Sequence, residues 1–218
     1  WLANEWLSLN LDWLDQQRLP RFLRVTNIVF MGMGEPFHNY ENTLKSIRIL
    51  NDIDGCHLSE RRFTISTVGI VPQIYRFTTL KSQINLAVSL HAADDELRKQ
   101  LIKVARKYSL QEIIEACRNY VQTTKRRVSF EWALIQGVND TSEQAEKLAS
   151  ILQGLLCHVN LIPVNNVDER NYKRTNKNKI VQFQKVLSNS GIQTTIRREL
   201  GEDISASCGQ LRNTYINK

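Results

Sequence analysis

Short apolar runs alternate with longer amphipathic segments along most of this chain. The apolar runs predict strands at 27–31, 62–66, 84–89, 128–135 and 158–163, with a last short strand at 193–197. Helical spacing of hydrophobic positions predicts helices at about 2–16, 40–50, 94–103, 109–123, 141–153 and 179–190, with a short one from Pro72. Apolar strands joined by helices predict an α/β fold with parallel strands and outer helices. A partial (β/α) barrel is favoured, and a doubly wound sheet stays open.

Capping residues mark several of the predicted helix ends. Asn39 precedes the helix at 40–50 and is expected to cap it. Ser109 and Glu112 have the spacing of a capping box. Gly191 is placed to end the last long helix as a glycine C-cap. The pattern divides the chain into a helical segment, 1–24, and a barrel core, 25–218, that ends in a cysteine loop.

Polar groups follow several predicted strands directly. In IVFMGMGEPFHN, residues 28–39, the glycines expose backbone, and Glu35 provides a carboxylate able to hold an ammonium or hydroxyl group. Parallel strands place their carboxyl ends at one edge of the sheet, where ligands bind. The residues expected to line one polar cup at this edge are Gly34, Glu35, Ser66, Ser89, His91 and Asn165.

The four cysteines lie far apart, at positions 56, 117, 157 and 208. None has the short spacing of a zinc or iron–sulfur site, so the chain itself offers no metal site. Cys56, Cys117 and Cys157 are expected to be buried as small apolar side chains. Cys208 lies among small residues in GEDISASCGQL, within a basic tail that favours the thiolate, and is the candidate nucleophile.

The formal net charge of +7 favours a polyanion partner, RNA or DNA, over other classes. No apolar stretch is long enough to cross a membrane, and no signal peptide opens the chain, so a cytoplasmic protein with no membrane partner is expected. The chain begins at Trp1 rather than Met, and we expect it to be part of a longer protein.

Five motifs occur in the order found in one enzyme family: GMGEP, ISTVG, the Ser-Leu-His after the third strand, NLIPVN and GEDISASCGQL. Through them the chain resembles the radical S-adenosylmethionine (SAM) methyltransferases called RlmN, of which the resistance enzyme Cfr is a close relative. GMGEP alone is typical of any radical SAM enzyme, whereas the cysteine loop is specific to RlmN and Cfr. The resemblance covers residues 25–212 and implies a partial barrel of the radical SAM type.

The resemblance also implies a role for each matching residue. Cys208 matches the cysteine that is itself methylated and carries the methyl group as S-methylcysteine. SAM would be bound by Gly34, Glu35, Ser66, Ser89, Leu90, His91 and Asn165.

The implied reaction methylates carbon 2 of adenine in 23S rRNA and tRNA. One SAM methylates the thiol, and a second, reduced by a [4Fe–4S] cluster, yields a 5′-deoxyadenosyl radical that takes a hydrogen from the S-methyl group. The resulting carbon radical adds to the adenine, and a second cysteine releases the product. A radical is needed because this adenine carbon is electron-poor and does not attack SAM. The implied partners include an electron donor such as flavodoxin, and a monomer is expected.

One departure from the family bears on activity. RlmN proteins bind their cluster through Cys-x3-Cys-x2-Cys, and that spacing is absent here. The cluster cysteines are therefore expected upstream of Trp1, and the chain alone is expected to be inactive. A degenerate copy that only binds RNA is one alternative. Cfr-type methylation of carbon 8 is another, and Pro36 favours RlmN because Cfr-like proteins usually have Ala there.

Overall fold

The computed structural model describes residues 25–54, 56–164 and 172–197. The segment 1–24, with its predicted helix, and the cysteine loop lie outside the described residues. Strands and helices alternate as the hydrophobic pattern predicts. The strands are β1 (Ile28–Phe30), β2 (Phe63–Thr67), β3 (Asn85–Ser89), β4 (Val128–Leu134), β5 (Cys157–Pro163) and β6 (Gln193–Ile196). The helices are α1 (Tyr40–Asn51), α2 (Val71–Thr79), α3 (Asp95–Leu101), α4 (Leu110–Thr124), α5 (Ser142–Leu152) and α6 (Lys177–Asn189).

The six strands form one parallel sheet in which their spatial order equals their order along the chain. Each connection therefore joins neighbouring parallel strands, and such crossovers are almost always right-handed. Successive right-handed crossovers in one direction put every helix on the same face of the sheet, whereas a doubly wound sheet reverses its order at a switch point. The α/β prediction is confirmed, and the strand order identifies a partial barrel.

The hydrophobic core lies between the sheet and its helices. Along β4, the alternate residues Val128, Phe130, Trp132 and Leu134 are fully buried on the helix side. The indole of Trp132 packs on the ring of Phe183 in α6, with the ring centroids 5.5 Å apart. Because strand side chains alternate, the intervening residues Ser129, Glu131 and Ala133 face the inside of the barrel.

The structure confirms two of the three predicted helix ends completely. The Ser109 hydroxyl accepts from the Glu112 N–H at 3.3 Å, and the Glu112 carboxylate accepts from the Ser109 N–H at 2.7 Å. Gly191 follows α6 with φ at +77°, a conformation that suits glycine. Asn39 does occupy the N-cap of α1, but its side chain makes no capping hydrogen bond.

Most predicted bounds differ from the structure by one or two residues, and the cause is visible for two elements. β2 begins at Phe63 rather than at position 62, because Glu60–Arg62 form a 3₁₀ turn. Helix α6 begins at Lys177 rather than at 179, because the Asn176 side chain accepts from the N–H of Asn178 and caps the helix there. Among the described residues, no helix has the length and apolarity needed to cross a bilayer.

Candidate functional site

Glu35 joins the ends of the first two strands through its carboxylate. One oxygen accepts from the N–H of Phe37 at 2.9 Å and caps the 3₁₀ turn Pro36–Asn39. The other oxygen accepts from the N–H of Val68, just beyond β2, at 2.7 Å. Both oxygens thus hold backbone in the structure, and each keeps a second lone pair for a ligand at this edge.

Gly34 exposes the backbone that precedes this carboxylate. Its φ is +120°, and a Cβ added there would meet no heavy atom within 4 Å. The glycine is therefore required by backbone conformation, and the space beside it is open. An open glycine next to a carboxylate gives a ligand both backbone groups and a negative charge to bind.

The glycine of the ISTVG motif has a different role from that of Gly34. Gly69 has φ at +97°, and a Cβ there would lie 2.7 Å from Cδ1 of Ile113 in α4. This glycine lets α4 pack closely against the end of β2. Ser66, three residues earlier, is half-buried and alternates with the helix-facing residues Ile65 and Thr67, so it faces the inside of the barrel.

His91 links the ends of β3 and β4. Its Nδ1 accepts from the N–H of Ala133 at 3.0 Å, and its backbone is left-handed, with φ at +61°. The side chain of Asn139, completely buried, donates to the carbonyls of His91 and Ala133 at 2.8 and 2.7 Å. Burial, together with the nearby Arg98 guanidinium, lowers the pKa of His91 to about 4. The imidazole is therefore neutral near pH 7, and its Nε2 carries the proton.

Arg98 of α3 holds two strand ends together from the helix side. Its side chain is completely buried, and it donates to the carbonyls of Val68 at 2.6 Å, Leu90 at 3.2 Å and Ser89 at 3.4 Å. The side chain of Leu90 is also fully buried, and its N–H donates to the carbonyl of Glu131 at 3.0 Å. Leu90 thus fixes the end of β3 through backbone hydrogen bonds and core packing.

These contacts connect the carboxyl ends of four neighbouring strands. Glu35 joins β1 to β2, Arg98 joins β2 to β3, and His91 joins β3 to β4. The described residues that sequence reasoning placed in the cup therefore lie along one edge of the sheet: Gly34, Glu35, Ser66, Ser89 and His91. Leu90, which only the resemblance implied as a SAM contact, lies at the same edge. Asn165 and Cys208 lie outside the described residues, so their roles stay predictions.

Sequence reasoning missed Arg98, Asn139 and Glu131. The side chains of Arg98 and Asn139 donate hydrogen bonds to backbone carbonyls, most of them distant in sequence. No local sequence pattern predicts such contacts. Glu131 did leave a signal, because a carboxylate between the aromatic residues Phe130 and Trp132 is unusual in an apolar strand. Its side chain is buried on the inner face, and burial raises the pKa of its carboxyl.

The cysteines of the described chain do not form a metal site. Cys117 and Cys157 are buried as predicted, whereas Cys56 is half-buried. Burial raises the pKa of Cys117 to about 12 and that of Cys157 to about 11, so both are protonated near neutral pH. Within the described ranges, no three His, Cys, Asp or Glu residues are grouped to bind a metal. The described residues therefore offer no ligand set for an iron–sulfur cluster.

Comparison with known families agrees with this geometry. The profile of the radical SAM superfamily matches residues 13–151. The chain belongs to the radical SAM superfamily. A radical SAM methyltransferase from Sphaerobacter thermophilus has a crystal structure that is 46% identical in sequence, with a TM-score of 0.85 over 95% of this chain and 60% of that one. A domain of the pyruvate-formate lyase-activating enzyme from Bacteroides vulgatus is 18% identical, with a TM-score of 0.59 over 80% of this chain and 100% of that one, and this likeness shows a shared fold alone.

Curated relatives confirm the resemblance to RlmN. A probable dual-specificity RNA methyltransferase RlmN from Alkaliphilus oremlandii is 54% identical over 193 residues, which are 88% of this chain and 56% of the relative. The protein of the same name from Clostridium novyi is 50% identical over 88% of this chain and 56% of its own length. This radical SAM chain thus spans little more than half the length of these relatives.

Proposed function

We propose that this chain is the SAM-binding part of an RNA methyltransferase of the RlmN type, acting on carbon 2 of adenine in 23S rRNA and tRNA. The observation that carries the proposal is the 54% identity with a relative named as a probable dual-specificity RNA methyltransferase. The joined strand ends support it, because they offer SAM open backbone at Gly34, a carboxylate at Glu35 and hydroxyls at Ser66 and Ser89.

The described residues at the strand ends would each make a specific contact with SAM. The carboxylate of Glu35 attracts the ammonium group of SAM, and the open backbone at Gly34 hydrogen-bonds beside it. The neutral imidazole of His91 donates through Nε2, while Nδ1 is occupied by the Ala133 N–H. SAM and a [4Fe–4S] cluster would supply the radical chemistry when bound. Cys208 is the proposed carrier of the methyl group.

The test replaces Cys208 in the whole protein that contains this chain. The protein is expressed in a strain lacking its own adenine carbon-2 methyltransferase, and rRNA and tRNA nucleosides are analysed by mass spectrometry. We expect 2-methyladenosine from the wild type and none from Cys208→Ala. Cys56→Ala, which removes a half-buried thiol away from the strand ends, should keep the product.

Three other outcomes would each contradict a different part of the proposal. Product from Cys208→Ala would show that this thiol does not carry the methyl group. 8-Methyladenosine from the wild type would assign the Cfr-type reaction instead. No methylated adenosine from the wild type, with salt-dependent RNA binding intact, would identify an inactive RNA-binding protein.

A further inference from the structure

Positively charged side chains lie at the amino ends of three neighbouring strands, at the edge of the sheet opposite the proposed SAM site. Because the strands are parallel and follow one another in chain order, the amino ends of β2 and β4 lie about 10 Å apart at this edge. Five of the six cations are exposed, and Arg126 is half-buried. The six, which we call the amino-end surface, are Arg61, Arg62, Lys81, Lys125, Arg126 and Arg127.

Neutral side-chain amides hold two guanidinium groups of this surface close together. Nε of Arg61 donates to Oε1 of Gln83 at 3.2 Å, and Nη1 of Arg126 donates to the same oxygen at 2.8 Å. Nη2 of Arg126 also donates to Oδ1 of Asn85 at 2.7 Å. The two guanidinium groups therefore lie side by side with one amide oxygen between them, although like charges repel each other.

Carboxylates do not neutralise this charge within the part of the chain that the structure describes. None of the six cations forms an ion pair there. The neighbouring carboxylate of Glu60 accepts from the backbone N–H of Gln83 at 2.7 Å, and Arg127 donates to the side-chain oxygen of Gln193. Burial, and then the guanidinium of Arg127, lower the pKa of His158 in β5. The edge is therefore positively charged and lacks an anion.

We propose that the amino-end surface binds phosphate groups of the substrate RNA at a distance from the target adenosine. Guanidinium groups present paired N–H donors that match phosphate oxygens, and lysines add charge without a fixed geometry. Such contacts position an RNA without reading its bases. The proposal rests on the proposed function, because that function supplies the RNA, and it adds a second contact region to the one at the carboxyl ends.

The two edges of the sheet are close enough for one RNA to contact both. Strands β4 and β5 have seven residues each, so at about 3.3 Å per residue the two edges lie about 23 Å apart. An RNA helix of about 16 base pairs, the length that a double-stranded RNA-binding domain covers, is longer than this. An RNA whose target adenosine lies at the carboxyl ends can therefore extend past the side of the barrel to the amino ends.

The test measures RNA binding by the whole protein that contains this chain. Arg62→Gln combined with Arg127→Gln removes two charges of the amino-end surface. The matched control, Lys45→Gln combined with Lys185→Gln, removes two exposed charges from α1 and α6. Fluorescence anisotropy over a salt series compares an intact tRNA with a short hairpin that carries only the target stem and loop.

A second pair of substitutions leaves the guanidinium hydrogen bonds in place. Lys81 and Lys125 have left-handed backbone, with φ at +49° and +58°, and asparagine tolerates this conformation. Lys81→Asn combined with Lys125→Asn therefore removes two charges of the surface without a new backbone strain. A melting temperature for each double variant separates loss of binding from loss of fold.

We expect both amino-end double variants to bind the tRNA about tenfold more weakly than the wild type at 0.1 M salt. The slope of log affinity against log salt concentration should become shallower by about 0.9 for each duplex phosphate that is no longer neutralised. The hairpin should bind with wild-type affinity, because it is too short to reach the amino ends. The Lys45 and Lys185 double variant should bind both RNAs like the wild type.

Three results would overturn the proposal and leave the proposed function intact: unchanged tRNA affinity in both amino-end variants, an equal loss with tRNA and hairpin, or an equal loss in the control variant. If tRNA affinity is unchanged while flavodoxin, titrated in parallel, binds more weakly, the surface belongs to an acidic protein instead. Failure of the wild type to bind either RNA would reject the proposed function as well.

Discussion

At the scale of single residues, His91 is kept neutral by its position between two strand ends. Burial, and then the positive charge of Arg98, lower its pKa from about 6.5 to about 4. The Ala133 N–H occupies Nδ1, so protonating that nitrogen would place two donors against each other. The unfolded chain has no such contact, and its histidine takes up a proton at an ordinary pKa.

Stability should therefore fall as pH falls from about 6.5 towards about 4, because the unfolded chain then binds a proton that the folded His91 excludes. The full effect is at most about 3 kcal/mol. We expect His91→Asn, which does not titrate and tolerates the left-handed backbone, to lose less unfolding free energy than the wild type between about pH 7 and about pH 5. Urea denaturation at both pH values measures this.

His38→Asn, which replaces an exposed histidine, is the matched control and should keep the wild-type difference between the two pH values. The prediction is wrong if His91→Asn and His38→Asn lose the same free energy on acidification.

The site residues were predictable from sequence only where a strand ends in an unusual residue. Glu35 and His91 follow apolar runs directly, so their place at the strand ends could be read from the chain. Their contacts could not, because Glu35 bonds to Val68 and His91 to Ala133, which are distant in sequence. Such bonds depend on strand register, which the hydrophobic pattern does not specify.

At the scale of elements, the short helix α3 is tied to the sheet by Arg98. The completely buried guanidinium donates to carbonyls at the ends of β2 and β3, so one side chain fixes three elements. No sequence motif predicts that this arginine is buried against the sheet. Within DELRKQL it resembles any exposed arginine of a helix. The helix was predictable, whereas its attachment to the sheet was not.

Arg98→Met should destabilise the protein by about 3 kcal/mol, because it leaves buried carbonyls without their donor. Lys99→Met is the control on the same helix. Lys99 is exposed and, among the described residues, pairs with the exposed Glu96, so its loss should cost less than about 1 kcal/mol. Unfolding free energies from urea titrations measure both, and equal values would contradict the role assigned to Arg98.

At the scale of the whole molecule, the alternation of strands and helices fixed the α/β class but left two architectures. A partial barrel and a doubly wound sheet have the same hydrophobic pattern, because both bury apolar strands under helices. The strand order distinguishes them, and that order depends on pairings between strands 20 or more positions apart, as between Ile65 and Leu86. The polar inner face is the side of this sheet that the helices leave uncovered.

Part of the basic charge of the molecule lies near the carboxyl ends of the strands. Lys173 lies between β5 and α6, Lys177 is the first residue of α6, and both are exposed. The carbonyl of Lys173 accepts from the N–H of Gln136, just beyond the carboxyl end of β4, at 3.0 Å. This segment therefore lies at the strand ends where the proposed site is, and under the proposed function its lysines would contact phosphates of the RNA.

Lys173→Glu combined with Lys177→Glu should therefore weaken binding of an adenine-containing RNA hairpin by the whole protein. The slope of log affinity against log salt concentration should become shallower by about 0.7 for each single-strand phosphate that a lysine no longer neutralises. Fluorescence anisotropy over a salt series measures this slope. Lys45→Glu with Lys185→Glu makes the same change of charge on the exposed faces of α1 and α6. Because net charge changes equally in both double variants, an equal effect would mean that RNA responds to total charge rather than to these two lysines.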